Sequence, residues 1–488
     1  MRPPYGGSVE PAPAVLEDGS RCWTRGQLEA ECERAAGLLV VHGVHVLATV
    51  LDNGAGWVVA DQAAARAGVV HVPLPEFFAP QQLSHALRSA GVDAVLAPRL
   101  YAAALAAAFD APPPRPLELA GEDLALVRLP ATPVSLPAGT AKITFTSGTT
   151  GTPKGVCLSR EAMDAVALGL IRATQDLGIR RHLCVLPLPV LLENIAGLLA
   201  PLVSGATCVV PRLVELGLTG SSAFDPAPFH GALLRHRPDS IIVLPQMLRA
   251  WVAWLDQRGQ RAPDTLRLVA VGGAAAGARL LAAARRVGIP AYEGYGLSEG
   301  GSVQTLNLPG ADRPGSVGRP LPHAQVRIAA DGEIEVAGSL MTGYLGAAAP
   351  PPRWWPTGDL GRIDGEGFVH VLGRKKHVLI TSYGRNVSPE WVEQALRDEG
   401  AIAQAVVFGD GEPALSAVIW PASRDATDAQ LQHAVDAANA ALPDYARVGC
   451  WARARAAFSP DTGFATANGR PQRPAIRQAH ADALSTTS

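Results

Sequence analysis

A chain of 488 residues is longer than one ordinary hydrophobic core serves, so two or more domains are expected. Forty-two basic residues against 44 acidic ones leave a formal charge of −2, which excludes the basic field of a nucleic-acid binder. Hydrophobic residues at 48% and charged residues at 18% suit a globular protein, and the most apolar run, from Cys184 to Val210, is too broken by proline, Glu193 and Asn194 for a membrane span. Only four of the basic residues are lysine (Lys142, Lys154, Lys375, Lys376), so a lysine that survives this arginine bias marks a place where a point ammonium is needed. The six cysteines are scattered without a C-x-x-C pair, and the opening "MRPPYGGSVEPAP" has no apolar signal core; both point to a reducing cytoplasm.

Along the chain, Thr24 and Gln27 stand at capping-box spacing before a helical pattern. Residues 45–74 read as strand, turn, amphipathic helix and strand. Short apolar runs at 93–97, 240–244 and 266–273 have the character of buried strands, the last followed by an Ala-rich helix over 276–286. Such alternation predicts an α/β fold with a largely parallel sheet. Beyond residue 320 the texture changes: Asp331-Gly332 sits between alternating segments as a hairpin turn. After Lys376 a smaller unit follows, with a helix over 389–398 and strands near 403–408 and 414–420.

The densest signal is "KITFTSGTTGTPKGVCLS", residues 142–159. A hydroxyl- and glycine-rich loop after a strand can cradle phosphate: glycine lets backbone N–H groups approach, hydroxyls donate, and a lysine neutralises charge. The plain alternative is a surface turn of small residues. No Gly-Lys dipeptide occurs, so the G-x-x-x-x-G-K-[ST] loop is not present. "GLSEG" at 296–300 also satisfies G-x-S-x-G, which opens a serine-hydrolase reading with Ser298 as nucleophile and His323, His370 or His377 as base. That reading leaves residues 142–159 and Asp359 unexplained. His182 and His236 have no partner at metal spacing and read as ordinary core or surface histidines.

"TSGTTGTPKG" resembles the phosphate loop of the adenylate-forming enzymes, which include acyl-CoA synthetases such as the fatty acid–CoA ligases. Further segments resemble that family in the same order: "VGGAA" (271–275), "GYGLSEGG" (294–301), "PTGDLGRID" (356–364), "GRKKHVLITSYGRNVSP" (373–389) and "TANGRPQR" (466–473). The resemblance implies a large N-terminal multi-layer α/β domain over 1–375 and a small mobile C-terminal α+β domain over 376–488, turning about Lys376. It implies that Thr146, Ser147, Gly148, Thr149, Thr150, Gly151 and Lys154 hold the phosphates of ATP. Ser298, where many family members carry threonine, would bond the α-phosphate, and Glu299 would ligate Mg²⁺. Gly272 and Gly273 would lie against the base with Tyr295 stacked on it, Asp359 and Arg374 would meet the ribose, and Gly384 would leave room for pantetheine. For Asp359 and Arg374 a surface ion pair is the alternative, and for the Lys375-Lys376 pair a solvated basic turn.

The activity so implied is ATP-dependent activation of a carboxylic acid to acyl-AMP, followed by thioester formation with CoA or with the phosphopantetheine of an acyl-carrier protein. Small and aliphatic residues in "SVQTLN" after Gly301 favour a medium or long fatty acid. Val190, Leu191 and Leu192 stand where many family members have a histidine or aromatic residue; they read equally as helix core or as an aliphatic pocket wall. The larger departure is Arg470, where the family has a lysine that bridges the substrate carboxylate and the α-phosphate. Arginine keeps the charge but is planar and forked. Arg470→Ala is expected to slow pyrophosphate release by about 10²–10³. Measured release that is unchanged in Arg470→Ala, yet strongly raised in Arg470→Lys, would mark a degraded site instead.

Overall fold

The structure, a computed structural model, describes residues 13–146, 153–220, 223–347, 349–380, 382, 386–466 and 469–485. It is an α/β protein with a large N-terminal part and a small C-terminal part. The helix Arg25–Val41 starts where its capping box puts it: the Thr24 side chain accepts from the Gln27 backbone, and the Gln27 side chain accepts from the Thr24 N–H.

Two large sheets carry the N-terminal part. An eight-stranded sheet is centred on Val46–Val50, Val70–Leu74 and Thr140–Thr146. A nine-stranded sheet holds Arg181–Leu183, Ser240–Val243, Leu268–Val271 and Ala291–Leu297 as parallel neighbours. Ser240–Val243 and Leu268–Val271, largely buried on both faces, read as continuous apolar runs rather than alternating ones. The hairpin turn at Asp331-Gly332 joins Ala324–Ile328 to Glu333–Gly338 in antiparallel register, within a four-stranded sheet that also holds Trp355–Ile363 and Val369–Arg374. Beyond it, Pro389–Asp398 packs on the three-stranded sheet of Ile402–Phe408, Leu415–Pro421 and Val448–Arg453. Among the described residues no helix is long and apolar enough to cross a membrane, and the cysteines are free.

Between the two large sheets lies a buried charge network that single segments do not announce. Lys142, on Thr140–Thr146, contacts Asp61 of the helix Ala55–Ala67 at 2.6 Å and also donates to Asn194. His71 Nδ1 is 2.7 Å from Asp61, and its Nε2 is 2.9 Å from the Thr49 hydroxyl. Burial pushes the Asp61 carboxyl upward, but the Lys142 ammonium and His71 outweigh it and hold it below the usual carboxylate range. Burial pulls His71 down, so the imidazole is neutral and donates from Nδ1. Removing one partner of such a pair strands a buried charge. Asp61→Asn should therefore destabilise the large domain by about 3–5 kcal/mol, and adding Lys142→Met should recover most of that loss. Denaturant melts of the two variants check this; equal losses in both would refute a charge-pair origin.

Candidate active site

Three neighbouring strands at one end of the eight-stranded sheet fix the first group of side chains. Thr140–Thr146 pairs antiparallel with Lys154–Ser159, and Thr146 stands opposite Lys154 at the mouth of the intervening loop. The Thr146 hydroxyl donates to the Lys154 carbonyl at 3.5 Å. Ser147, Gly148, Thr149, Thr150 and Gly151 lie outside the described residues. Gly343–Tyr344 adds to the other edge, with Tyr344 opposite Val156. Lys154 Nζ lies 5.6 Å from the Tyr344 ring centroid, within cation–π range. The Tyr344 hydroxyl donates to Glu299 Oε1 at 2.7 Å, and burial together with that carboxylate raises its pKa. Tyr344 thus links Lys154 to Glu299. The sequence offered no motif for Tyr344 beyond a glycine-flanked tyrosine in "MTGYLG".

Ser298 and Glu299 sit in a 3₁₀ turn, Ser298–Gly300, at the end of the strand Ala291–Leu297. The chain doubles back so closely that a Cβ on Gly296 would stand 2.0 Å from the Ser302 carbonyl oxygen. Only glycine serves there. The three histidines offered as bases are engaged elsewhere. His323 Nε2 meets the Val303 carbonyl at 2.8 Å, His370 meets Asp364 and the Gly315 carbonyl, and His377 meets Glu390. The serine-hydrolase reading therefore has no base on Ser298 among the described hydrogen bonds.

A second group gathers beyond the C-terminal ends of the parallel strands, where ligands of open α/β sheets bind. Gly272 and Gly273 follow Leu268–Val271; a Cβ on Gly272 would lie 3.6 Å from Leu192 and 3.9 Å from the Gly294 carbonyl. Gly273 has φ +83 and lies beside Leu244. The loop is anchored by Glu293, whose Oε1 accepts from the Ala276 N–H at 2.7 Å. Burial pushes that carboxyl up to about 7. The Tyr295 hydroxyl donates to Asp359 Oδ2 at 2.6 Å, and Arg374 Nε meets Asp359 Oδ1 at 2.9 Å across the strand pair that brings them into register. Asp359 is buried, so the pair is not a loose surface bridge. Leu191 belongs to the core, whereas Leu192 faces the glycine loop, so the two readings of this stretch divide between adjacent residues.

The C-terminal part reaches the same place. Arg470 closes a tight turn in which its N–H donates to the Thr466 hydroxyl at 3.2 Å and its carbonyl accepts from the Thr466 N–H at 2.8 Å. A Cβ on Gly469 would lie 3.9 Å from the Gln246 side chain of the large part. Arg470 is close enough to feel the charges of Arg374, Asp359 and Glu299. Lys375 Nζ bridges Asp331 and Glu333 at 2.6 Å each, while Lys376 beside it is exposed. Gly384 lies outside the described residues. Three cations (Lys154, Arg374, Arg470) and two carboxylates (Glu299, Asp359) are thus linked through these contacts, a set suited to an extended polyanion with its counter-cation.

The family model for AMP-binding enzymes matches residues 8–345, and that for the AMP-binding enzyme C-terminal domain matches residues 376–486. A long-chain-fatty-acid–CoA ligase of Mycobacterium bovis, FadD15, is 41% identical over 159 residues, covering 31% of this chain and 26% of that protein. The 2-succinylbenzoate–CoA ligase of Bacillus velezensis is 33% identical over 294 residues, covering 56% of each. The chain thus spans about a quarter and about half of the lengths of these relatives. In fold it is similar to o-succinylbenzoate CoA synthetase of Bacillus subtilis, solved with its acyl-adenylate intermediate, with a TM-score of 0.76 and 24% identity over 96% of this chain and 95% of that one. The first of the two family matches alone covers well over half of the sequence, and the protein belongs to the adenylate-forming, AMP-binding enzyme family.

Proposed function

We propose that this protein activates a hydrophobic carboxylic acid with ATP, releasing pyrophosphate, and then passes the acyl group to the thiol of CoA. The observation that carries the reading is the convergence of Lys154, Tyr344 and Glu299, with Arg470 of the small part close enough to feel the Glu299 charge. In the first step a substrate carboxylate oxygen bonds to the α-phosphorus, and the bond from that phosphorus to its bridging oxygen breaks, so pyrophosphate leaves with the electron pair. In the second step the thiolate attacks the acyl carbon and AMP leaves.

Lys154, with the hydroxyls of 146–150, holds the β- and γ-phosphates. The Arg470 fork spans the carboxylate and the α-phosphate, where Ser298 adds a hydroxyl. Glu299 fits Mg²⁺, because a hard cation bridging phosphates needs only one or two protein carboxylates, and Mg²⁺ there would neutralise phosphate charge. Asp359 already accepts from Tyr295 and Arg374, but each carboxylate oxygen keeps a second lone pair for a ribose hydroxyl. Tyr295, held at its hydroxyl, presents its ring to the base beside Gly272 and Gly273. Lys376 is the hinge: its neighbour Lys375 is pinned to the Asp331 hairpin, so rotation of the domain from 376 onward starts at the next, exposed residue. That rotation would bring Gly384 to the thiol.

The aliphatic side chains of Leu192 and Leu244 beside the glycine loop favour a medium or long fatty acid. The aromatic acid in the name of the 2-succinylbenzoate ligases favours an aryl acid. Pyrophosphate release should depend on the acid when a panel of straight-chain fatty acids and aryl acids is tried, and should yield an acyl-CoA when CoA is added. A thioester formed only on an acyl-carrier protein would move the acceptor; no release with any acid would overturn the reading in favour of a binding protein. Tyr344→Phe keeps the ring beside Lys154 but deletes a hydrogen bond to a carboxylate. It should raise the KM for MgATP about tenfold with an unchanged melting temperature, and an unaltered KM would remove Tyr344 from the site.

A further inference from the structure

A second cluster of ligand-type atoms lies one residue beyond Leu192, inside the nine-stranded sheet and its covering helix. His182 and Cys184 stand two apart along one extended run and so project to the same face. Glu193 opens a seven-residue π-helix, Glu193–Leu199, laid over that face. The His182 Nε2, Cys184 Sγ and Glu193 carboxylate atoms lie within 4.8 Å of one another. Relative exposure is 3% for His182 and 0% for both Cys184 and Glu193. The spacing in sequence gives His182 no partner; the fold supplies two. The geometry points to a buried site for a borderline-soft divalent cation of the zinc class, held by His182, Cys184 and Glu193 and separate from the Mg²⁺ position at Glu299.

Four observations support it. First, His182 Nε2 and Glu193 Oε1 are 3.4 Å apart, long for a hydrogen bond between them. Two ligands at zinc bond lengths of about 2.0–2.1 Å and a tetrahedral angle stand about 3.4 Å apart. Second, Ser240 Oγ lies 2.8 Å from His182 Nδ1, the kind of outer partner that fixes the orientation of a ligating imidazole with its Nε2 toward Glu193. Third, Glu193 Oε2 is buried with no hydrogen-bond partner among the described residues, which leaves one carboxylate oxygen for a ligand. Fourth, a Cβ on Gly197 would stand 2.4 Å from Glu193 Oε1 and 2.9 Å from His182 Nε2, so only glycine lets the π-helix backbone approach the pair this closely.

A divalent ion with one thiolate, one carboxylate and one neutral imidazole is electroneutral, which a buried site requires. Such an ion would staple the π-helix to the strand beneath it. It would thereby fix Leu192 against Gly272.

The test uses the full chain without a histidine tag, grown with added zinc and desalted through chelator. Metal analysis should find close to one tightly held zinc per chain, released on unfolding, and the chelator-stripped protein should melt several degrees lower. Protein from cobalt-supplemented cells should show a thiolate-to-cobalt charge-transfer band, absent in Cys184→Ser. Should that variant fail to fold, the spectrum of the unaltered protein decides alone. A metal-free chain that melts alike with and without zinc, a cobalt protein lacking the thiolate band, or zinc held by Cys184→Ser and Glu193→Gln at the level of the unaltered protein would each overturn the site. None of these readings depends on the ligase activity.

Discussion

The antiparallel pairing of Thr140–Thr146 with Lys154–Ser159 sets the position of most of what the cleft uses. Its register puts Thr146 opposite Lys154 at the loop mouth, and its outer edge receives Tyr344, which reaches across to Glu299. A slip of one residue would turn every one of these side chains to the other face. What resists the slip lies at the opposite end of the same strand, where Lys142 is buried against Asp61 and Asn194. An ammonium cannot be turned out of that slot without stranding Asp61 beside a neutral His71. The buried ion pair therefore acts as a register pin for a strand whose far end carries Thr146 opposite Lys154.

This explains the distribution of lysine. In a chain that otherwise uses arginine, Lys142 fills a slot between a carboxylate and an amide, and Lys375 converges on Asp331 and Glu333. Lys154 rests over an aromatic face. Each position takes a compact point charge on a thin stem, where a planar guanidinium would need more width and a fixed fork direction. Arginine serves at Arg374, which runs along a sheet edge to meet Asp359 sideways.

Much of this was legible in the sequence because it is local. The Thr24 cap, the Asp331-Gly332 hairpin, the strand at Leu268–Val271 and the helix Pro389–Asp398 each follow from a few adjacent residues. The order of motifs from 142 to 473 carried the family, and the grouping of Tyr295, Asp359 and Arg374 followed from it. The residues that escaped are joined only by the fold. Asp61, His71, Lys142 and Asn194 come from four separate segments, and the partners of His182 include a glutamate whose orientation depends on a π-turn that no local pattern announces. Tyr344 and Glu293 escaped for a different reason: a lone tyrosine or glutamate beside glycine is too common to signal that it supports a loop or a neighbouring carboxylate.

Arg470 is where local and global constraints meet. It belongs to the small part, yet it feels Asp359 and Glu299 of the large one, and Arg374 stands nearby with like charge. A lysine in its place could place one ammonium between carboxylate and phosphate in any rotamer. A guanidinium must present an edge, so its reach is set by the turn beneath it, where Thr466 closes on the Arg470 backbone in both directions. Gly469 in that turn has φ +73 and lies beside the Gln246 side chain of the large part. The arginine thus trades the adaptability of lysine for a fixed approach, and the fixed approach works only while the small domain is docked in this orientation. Under the proposed reaction, a small domain that turned between the two steps would carry the Arg470 charge away with it, which would couple the chemistry of one half-reaction to the geometry of the other.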